Sequence, residues 1–492
     1  MRRKSKTRLS ESPKESALER FKPLLSPREL EQLLEELGNP LDPAFRVNPL
    51  KAGDGAVQTW AERYGWDLHP VPYCDQGWRV SGADTNLSQT IEHRLGYYYI
   101  QDAASMLPVE LFDWDELDEP LVLDLAASPG GKTTHLVAKT GDRGLVMAND
   151  ASSDRITALR LVLQNWGALH GAVLNFHGEK YGGWFPNAFD RVLLDAPCSM
   201  QGLRSTDAHP MRGISDRERA GLAGRQLRLL ESALGAARPG GQIVYSTCTL
   251  EPEENEGVLD ALLRAHPGEV SVDDLQDRLP KPAPGLASAG DLMYEPEVQG
   301  AARLWPHIFH TAGFFAARLT KLLASHQDSS PYPGRPITRA GWQPLGRKSD
   351  TWITGIFRDL YGVDLPLLLQ EHRLELWRRA KRIYAFPEIF MQRFGDLPVQ
   401  GLGMQLGEDT GDGFTPSHEW VARFGGMVRA GRYVLAAELA NAWVRGEDLS
   451  VAPEQGLPTG RVVVVFDEQG RLLGRGMVQA NRLRNLLPRR LF

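Results

Sequence analysis

Two of the chain's three cysteines occupy matching positions in the sequence. Cys198 follows the apolar run VLLDAP and Cys248 follows IVYST, so each thiol comes directly after a segment with the composition of a buried strand. Three cysteines cannot form a disulfide framework, and no Cys-x-x-Cys or Cys/His cluster has the spacing of zinc ligands. A cysteine at a strand end is most often a small buried hydrophobe, whereas a thiolate can act as a catalytic nucleophile. Two such thiols favour the catalytic interpretation if a cofactor loop accompanies them.

A cofactor-binding turn is indicated by the segment LVLDLAASPGGKTTH, which begins at Leu121. It places a glycine-bearing loop between a strand and a helix, where glycines let the backbone approach a ligand and free N–H groups face it. The segment has neither the dinucleotide-binding spacing nor the phosphate-loop spacing. Asp150 ends the next strand-like segment, VMAND, in the position of an acid that binds ribose hydroxyls. A ribose acid without a phosphate cradle predicts S-adenosylmethionine as the cofactor; the alternative is a tight turn with a helix-capping aspartate.

The elements that must position these residues alternate between strands and helices. Five apolar runs, LVLDLA, GLVMAND, AVLNFHG, FDRVLLDAP and GQIVYSTC, are separated by amphipathic segments such as DRITALRLVLQNWG. This alternation predicts an α/β fold with a parallel sheet covered on both faces. Upstream, SPRELEQLLEELG predicts a helix with a capping box at Ser26 and Glu29. Downstream, we expect a helix from Leu367 to Ile383, followed by a small β-rich domain that contains GRVVVVF and RLLGRGMVQ.

The composition is that of an ordinary globular protein, with 492 residues, 42% of them hydrophobic and 24% charged, and its length suggests roughly three domains. No uncharged apolar stretch reaches the ~18 residues that cross a bilayer, so no membrane partner is expected. The few cysteines are compatible with a reducing, cytoplasmic location. The net charge of −6 does not favour nucleic acid, but the first twenty residues and the last twenty-two are basic. Basic ends suggest a phosphate-bearing partner, with a solvated tail as an equal alternative.

Five segments, in order, resemble the motifs of the RNA cytosine-5 methyltransferases of the RsmB/RsmF (Nop/Sun) family. They are DLAASPGGKTTH, AND, FDRVLLDAPCSMQGL, ARPGGQIVYSTCTLEPEENE and RLWPHIFHTAGFFAARL. FRVNPLK and YYYIQDAASM are similar to the family's upstream segments, so the resemblance extends over about residues 46–321, and the end of the chain resembles the PUA-like domain of the RsmF branch. The resemblance implies a Rossmann-like class I SAM-dependent methyltransferase core that forms 5-methylcytidine in RNA.

The resemblance also implies a role for each thiol. A cytosine C5 is too weak a nucleophile to take a methyl group unaided, and a thiolate added to C6 makes C5 enamine-like. Cys248 matches the family's nucleophile, Cys198 takes part in resolving the adduct, and Asp195 binds the cytosine edge near N3. The implied cofactor set comprises Ala126, Ala127, Ser128, Pro129, Gly130, Gly131, Lys132, Asp150, His177 and Asp195. No metal site is expected.

Several positions depart from the family pattern. His177 stands where the family usually has an aspartate, so a hydrogen bond to the adenine amino group is lost or is supplied elsewhere, for example by Glu179. The other departures are Ala126, Ser128 and Met200, in place of Cys, Ala and Gly, and Ser205-Thr206 in place of a basic pair. The last departure removes charges that could touch RNA, which bears on the substrate more than on the chemistry.

We predict five regions along the chain. They are residues 1–100 for a basic tail and an N-terminal RNA-recognition region, 101–324 for the catalytic domain, 325–345 for a linker, 346–405 for a helical connecting module and 406–492 for a PUA-like RNA-binding domain. RNA contacts are predicted at Arg46, at Lys51, at the C-terminal arginines and in the WRRAKR segment that begins at Trp377. Small-subunit ribosomal RNA is the expected substrate; transfer RNA and a non-catalytic role in ribosome assembly are the alternatives. The protein is expected to be a monomer.

Overall fold

The computed structural model describes residues 18–82, 86–204, 212–325, 329–411, 413–450 and 457–488. The basic start of the chain, the Ser205-Thr206 pair and the last four residues therefore lie outside the described part. Among the described residues, no helix is long and apolar enough to span a bilayer.

The N-terminal region combines short helices with a four-stranded antiparallel sheet in the order β2-β3-β1-β4. Its elements are α1 (Pro27–Gly38), β1 (Ala44–Val47), α2 (Ala56–Tyr64), β2 (Asp67–Val71), β3 (Cys74–Ser81), α3 (Ile91–Arg94), β4 (Tyr98–Ile100) and α4 (Leu107–Glu110). The predicted capping box of α1 is confirmed, since the Ser26 side chain accepts from the Glu29 backbone and the Glu29 side chain accepts from the Ser26 backbone.

The central region is an α/β unit built on a large sheet. Its elements are β5 (Leu121–Asp124), α5 (Gly131–Lys139), β6 (Leu145–Asn149), α6 (Ser153–Trp166), β7 (Gly171–Leu174), α7 (Tyr181–Trp184), β8 (Phe189–Asp195), α8 (Asp216–Ala236), β9 (Ala237–Thr247), α9 (Glu256–Ala265), β10 (Val270–Val272), β11 (Ser288–Ala289), β12 (Leu292–Met293), β13 (Ala302–Leu304), α10 (Pro306–Phe309) and β14 (Phe314–Lys321). The five strands β7, β6, β5, β8 and β9 run parallel, and β14 continues the sheet antiparallel to β9. The predicted parallel sheet is thereby confirmed.

Both faces of this sheet are buried, as the alternation of side chains along β5 and β6 shows. Leu121 and Leu123 of β5 point into one hydrophobic core, together with residues of α8, whereas Val122 points into another, together with residues of α5 and α6. In β6, Leu145 likewise points into the first core and Val146 into the second. Successive strand residues face opposite sides of a sheet, so strands covered by helices on both faces must be apolar throughout. This explains the continuous apolar runs in the sequence.

The C-terminal region contains a five-stranded sheet in the order β15-β16-β17-β19-β20 and a four-stranded sheet in the order β21-β22-β23-β24. Its elements are β15 (Gln343–Pro344), α11 (Arg347–Ile356), α12 (Leu365–Glu371), β16 (Leu374–Arg379), β17 (Arg382–Pro387), α13 (Glu388–Phe394), β18 (Gly401–Leu402), β19 (Met404–Asp409), β20 (Phe414–Pro416), α14 (His418–Phe424), β21 (Arg432–Leu435), α15 (Ala437–Val444), β22 (Val462–Asp467), β23 (Leu472–Gln479) and β24 (Arg482–Asn485). A π-helical turn, Phe357–Tyr361, extends α11.

The helix predicted from Leu367 to Ile383 is wrong. Only its first part is helical, in α12, and the WRRAKR segment forms the β16–β17 hairpin with Arg379 opposite Arg382. Ala380 forms the turn at φ 53°, a left-handed conformation that usually selects Gly or Asn. The range 346–405 is therefore a mixture of helices and strands. In the range predicted as a linker, Trp342 is buried against the hairpin at Phe386, 4.9 Å between ring centroids.

The C-terminal region is joined to the central sheet through main-chain hydrogen bonds. The short strand β18 pairs antiparallel with β7, so that Gly401 lies opposite Val173 and Leu402 opposite Ala172. The bonds from the Gln400 N–H to the Val173 carbonyl, 2.8 Å, and from the Gly403 N–H to the Gly171 carbonyl, 3.0 Å, flank this pairing. Edge-strand pairing of this kind covers the exposed edge of the parallel sheet.

Candidate active site

The candidate active site lies at the carboxyl ends of four neighbouring parallel strands. Asp124 ends β5, Asn149 ends β6, Asp195 ends β8, and Thr247 ends β9. In a parallel α/β sheet these ends meet at one edge, and ligands bind in the crevice outside it. The sheet order β6-β5-β8-β9 places the predicted cofactor loop next to the two segments that carry the thiols.

Asn149 holds together the loops that follow three of the strands. Its amide nitrogen donates to the carbonyls of Leu125 and Phe176, both at 3.0 Å. Its amide oxygen accepts from the Phe176 N–H at 2.9 Å and from the Tyr181 hydroxyl at 3.0 Å. A buried amide with all these bonds satisfied fixes the backbone around it. Sequence reasoning missed this residue, although it stands beside Asp150 in the VMAND segment.

The loop from Ala126 to Gly130 turns directly from β5 into α5, with a cis peptide bond between Ser128 and Pro129. Gly130 adopts φ 114°, and a Cβ there would lie 3.0 Å from Val162. A Cβ at Gly131 would lie 2.8 Å from the ring of Tyr99. The two glycines are therefore required by close packing against the protein itself, in addition to any approach of the backbone to a ligand.

Asp150 fits the role of a ribose-binding acid. Its carboxylate accepts the Ser128 N–H at 3.2 Å and the Ser152 N–H at 2.8 Å, one on each oxygen. These two bonds fix the carboxylate between the cofactor loop and α6. Because an ionised carboxylate offers about four lone-pair sites, each oxygen can still accept a hydroxyl. The loop and the acid therefore suit the adenosine part of S-adenosylmethionine.

His177 follows β7 at the same edge of the sheet, two residues before Glu179. Its side chain is exposed and does not cap the short helical turn that follows. Glu179 lies 3.8 Å from Arg225, so its carboxylate has a partner in α8. His177 therefore lies at the same edge of the sheet as Asp150, the acid that follows β6.

The two thiols are in contact. Cys198 follows β8 and is half-buried, Cys248 follows β9 and is exposed, and their sulfur atoms lie 3.3 Å apart. The hydrogen bond between them lowers the pKa of Cys248, and the nearby Lys132 ammonium acts in the same direction. The same hydrogen bond, together with burial, raises the pKa of Cys198. The pair thus favours a thiolate on Cys248, the more accessible sulfur, and a protonated Cys198 that donates to it.

Lys132 and Asp195 form an ion pair beside the thiols. The Lys132 ammonium donates to Asp195 at 2.7 Å, and the Ser246 hydroxyl donates to the other carboxylate oxygen at 2.8 Å. Burial opposes the charge on Lys132, yet Asp195 raises its pKa above the ordinary value. The structure thus places the Lys132 side chain beside Asp195 and near Cys248. The resemblance had assigned this residue to the cofactor set. Asp195 itself ends β8.

Glu254 shapes the turn that carries Cys198. Its buried carboxylate accepts the Ser199 N–H at 3.0 Å and the Gln226 amide at 2.8 Å, and Gln226 also donates to the Pro197 carbonyl at 3.0 Å. The neighbouring Asn255 donates to the Thr249 carbonyl at 3.0 Å, just after Cys248. Glu254 and Asn255, in the acidic run that follows STCT, therefore position both cysteine turns. In the sequence, the only sign of this role is that the run stands close to the STCT motif.

Met200 adopts a left-handed backbone two residues after Cys198. Its φ is 58°, and its side chain is 42% exposed. Side chains other than Gly rarely adopt this conformation, which explains why glycine is usual at this position in the family. The turn thus has a conformation that suits glycine although methionine occupies the position.

Two of the predicted RNA contacts are wrong. Arg46 is fully buried and donates to Gln101 at 3.1 Å, to the Gly131 carbonyl at 2.9 Å and to Thr134 at 2.7 Å. The Lys51 ammonium is committed to the carbonyls of Leu95 and Asn165, at 2.7 and 2.6 Å. Both cations join the N-terminal region to the central unit and cannot reach a phosphate. By contrast, Arg379, Lys381 and Arg382 are exposed on the hairpin.

One group within the described ranges has the donor types of a metal site, namely Cys74, Glu110 and His135. Glu110 accepts from His135 at 3.0 Å and lies 2.5 Å from the ammonium of Lys139. Burial raises the pKa of the Cys74 thiol to about 12, so it is protonated at neutral pH. The Glu110 carboxylate is already neutralised by a lysine, and the thiol beside it is protonated. The three residues are therefore better described as a hydrogen-bonded contact between the N-terminal region and α5.

The fold and this edge of the sheet define a class I SAM-dependent methyltransferase. Residues 114–320 match the family described as 16S rRNA methyltransferase RsmB/F, and residues 15–103 match the N-terminal domain of 16S rRNA methyltransferase RsmF. The chain belongs to the RsmB/F family and is a SAM-dependent RNA methyltransferase. The resemblance inferred from the sequence is confirmed.

Individual relatives agree with this assignment. The chain is 34% identical over 456 residues to the ribosomal RNA small subunit methyltransferase F of Erwinia tasmaniensis, covering 92% of this chain and 91% of the relative. It is 35% identical over 457 residues to the protein of the same name from Klebsiella pneumoniae, covering 92% and 90%. A crystal structure of a methyltransferase homolog protein from Pyrococcus horikoshii is 30% identical, with a TM-score of 0.53, and covers 62% of this chain and 99% of that one.

Proposed function

We propose that this enzyme methylates C5 of a cytidine in small-subunit ribosomal RNA through a covalent adduct between Cys248 and C6. The observation that carries the proposal is the contact between the two sulfur atoms, 3.3 Å apart, beside the Lys132–Asp195 ion pair. One thiol would suffice for nucleophilic attack, so a second thiol in contact with the first suits a reaction in which the adduct must also be broken. The names of the relatives support ribosomal RNA as the substrate.

Cys248 is the nucleophile in this mechanism. It is the exposed member of the pair, and its pKa is lowered by the Cys198 hydrogen bond. Its thiolate adds to C6, a carbon–sulfur bond forms, and the electron pair of the C5–C6 double bond moves toward C5. A target base must leave its stack to reach the sulfur, so the RNA is single-stranded or locally opened at the target.

Asp195 and Lys132 act on the opposite edge of the base. The Asp195 carboxylate accepts a hydrogen bond from the cytosine amino group beside N3, and the Lys132 ammonium offsets the negative charge that develops near N3 when the thiolate adds. Ser246 and Lys132 each donate to Asp195, so the carboxyl group is held in place before the base arrives. The ammonium also adds positive charge to the site. An arrangement of this kind stabilises the adduct more than the free base.

Cys198 serves the release of the product. In the free enzyme its pKa is raised by the hydrogen bond to Cys248 and by burial. Once the Cys248 sulfur is bonded to C6 it no longer carries a negative charge, so this penalty on ionising Cys198 is relieved. Cys198 then loses its proton to solvent, and its thiolate accepts the C5 proton as the C5–C6 double bond re-forms and Cys248 leaves as a thiolate.

The residues that would hold the cofactor are the loop Ala126–Gly130, the start of α5, Asp150 and His177. Bound S-adenosylmethionine supplies an electrophilic methyl group, which C5 takes. Asp150 would accept the ribose hydroxyls, and backbone N–H groups of the loop would be available to the rest of the adenosine. The N-terminal region and the β-rich C-terminal region contact RNA outside the target nucleotide. We further propose that the enzyme acts as a cytoplasmic monomer.

Methyl transfer from labelled S-adenosylmethionine to small-subunit ribosomal RNA and to transfer RNA tests the proposal, with the products separated on a denaturing gel. We expect wild type to label the ribosomal RNA, C248A to be inactive and C198A to accumulate a protein–RNA adduct. C74A is the matched control, because Cys74 is a buried thiol outside the site. The adduct should disappear in the C198A/C248A double variant.

Three results would contradict parts of the proposal. Labelling of transfer RNA alone would show that transfer RNA is the substrate, and the proposed reaction would be unchanged. Binding of both RNAs without any methyl transfer would favour a non-catalytic assembly factor. An active C248A variant would show that Cys248 is not the nucleophile. Nuclease digestion with mass spectrometry would show whether the product is 5-methylcytidine.

A further inference from the structure

A basic groove lies at the junction of the central sheet and the C-terminal region. Its volume is about 530 Å³, and it is bounded by α6, the β7–β18 edge and the β16–β17 hairpin. Four arginines line it, against two glutamates, Glu408 and Glu419. The arginines, which define what we call the arginine groove, are Arg160, Arg379, Arg382 and Arg475.

The hairpin brings two of these cations together at its exposed end. Arg379 and Arg382 lie directly opposite each other across the turn, and both are exposed. Like charges that face each other across two strands destabilise the pairing. Within the described ranges, neither arginine has a carboxylate within 4.0 Å, although Glu408 lies opposite Arg382 on β19. The fold therefore gains no stability from this pair, and an anionic partner would relieve the repulsion.

The groove is preorganised. The guanidinium of Arg379 lies 5.4 Å from the ring of Trp342, which is itself buried in the core. The stem of Arg160 lies close to β18, since a Cβ at Gly401 would come within 3.3 Å of it, and its guanidinium is 3.4 Å from the Gln400 carbonyl. Stacked and anchored guanidinium groups lose little entropy when they bind, and their planar donors match phosphate oxygens.

The position of the groove excludes a role at the target base. Five steps between neighbouring strands separate β9, which precedes Cys248, from β18. At about 4.8 Å per strand this corresponds to roughly 24 Å across the sheet. Because β18 is hydrogen-bonded to β7, this separation is fixed by the backbone. The groove can therefore contact only RNA that lies away from the flipped cytidine.

We propose that the arginine groove binds the phosphate backbone of the substrate RNA, remote from the methylated nucleotide. This proposal rests on the function proposed above, in which RNA is the substrate. Its charged lining carries four guanidinium groups against two carboxylates, and the amides of Gln400 and Gln405 accompany them, so an anionic and polar partner fits it. Phosphate contacts of this kind fix the register of the RNA and carry no sequence information.

The double variant R379Q/R382Q tests this role, with naked small-subunit ribosomal RNA as the probe. We expect KM for RNA to rise about tenfold or more, because two charge-assisted contacts are lost. The value of kcat at saturating RNA should stay within about twofold, since the groove does not touch the reacting atoms. The slope of log binding constant against log salt concentration should fall by about 0.7 for each lost phosphate contact, or about 1.4 in total.

R160Q, on the opposite wall of the groove, should reproduce the effect in weaker form. The matched control is R358Q, because Arg358 is an exposed arginine that pairs with its neighbour Asp359. Binding of S-adenosylhomocysteine by each variant verifies that the site is folded. Unchanged KM and salt dependence in R379Q/R382Q would overturn the proposal.

Two further outcomes separate this inference from the proposed function. If wild type binds ribosomal RNA with the expected salt dependence but transfers no methyl group, the proposed reaction fails and the groove still stands, provided that the double variant weakens binding. If the variant is impaired only on assembled ribosomal subunits and not on naked RNA, the groove binds an acidic protein and the RNA assignment is wrong.

Discussion

Arg303 and Glu256 form a bidentate ion pair in which both side chains are fully buried. The two N···O distances are 2.8 and 2.5 Å, and Arg303 also donates to the Leu250 carbonyl at 2.9 Å. Leu250 stands two residues after Cys248. The pair therefore links β13 and the start of α9 to the turn that carries Cys248.

Breaking this pair should destabilise the protein strongly. R303M leaves the Glu256 carboxylate buried without a counter-charge, and we expect a loss of about 3–5 kcal/mol in the free energy of unfolding. Urea unfolding at neutral pH measures this loss. Because the Leu250 carbonyl also loses its donor, the residual methyl-transfer rate of folded enzyme should fall as well.

The double variant R303M/E256L is the informative comparison. Removing both charges avoids the unpaired carboxylate, so the double variant should be more stable than R303M by about 2 kcal/mol or more. R358Q, at an exposed pair, should leave the free energy of unfolding nearly unchanged. A double variant no more stable than R303M would show that the pair acts through packing alone.

The Cys198 thiol should control the ionisation of Cys248. In C198A the hydrogen bond that lowers the pKa of Cys248 is absent, so that pKa rises. Below the new pKa less thiolate is present, and alkylation of Cys248 by iodoacetamide should be slower than in wild type at the same pH. The rate of modification of the Cys248 peptide, followed by mass spectrometry from pH 6 to 10, gives both pKa values. Coincident profiles for the two proteins would show that the contact does not tune the nucleophile.

The fold and the thiol site could be predicted because their signals are local. Continuous apolar runs that alternate with helical segments identify a covered parallel sheet. Cys198, Cys248, Asp195 and Asp150 all stand at the ends of such runs, and the carboxyl ends of parallel strands meet at one edge. The roles of the residues still required the family resemblance, since the spacing alone does not distinguish which thiol attacks.

Features that depend on tertiary contacts were missed or misassigned. The β16–β17 hairpin turns at Ala380 without Gly or Asn, so nothing in the WRRAKR segment indicates a turn. Arg46 and Lys51 were predicted to contact RNA because they are cationic, but Arg46 is buried, Lys51 is half-buried, and both have backbone carbonyls as partners. The positioning role of Glu254 depends on Ser199, 55 residues away. Long-range partners of this kind cannot be inferred from one sequence.

Lys132 should matter for chemistry more than for cofactor binding. K132M removes the ammonium from Asp195 and from the vicinity of Cys248, so the pKa of Cys248 rises and Asp195 is left without its counter-charge. We expect single-turnover methyl transfer to fall by about 10²-fold or more. The control is K139M on the same helix, because Lys139 pairs with Glu110 instead. An increased Kd for S-adenosylhomocysteine with an unchanged rate at saturation would return Lys132 to the cofactor set.

Asp150 should determine the affinity for the cofactor. D150N keeps the size of the side chain, but it replaces one acceptor oxygen with a donor that faces the Ser128 or Ser152 N–H. The ribose hydroxyls then lose an acceptor, and a buried polar mismatch costs about 1–3 kcal/mol, which corresponds to a 5- to 150-fold increase in Kd. Isothermal titration with S-adenosylhomocysteine measures the change, and D154N, at an exposed acid in the first turn of α6, is the control. If D150N binds the ligand as tightly as wild type, Asp150 serves only to join the loop to α6, and the ribose is held by another group.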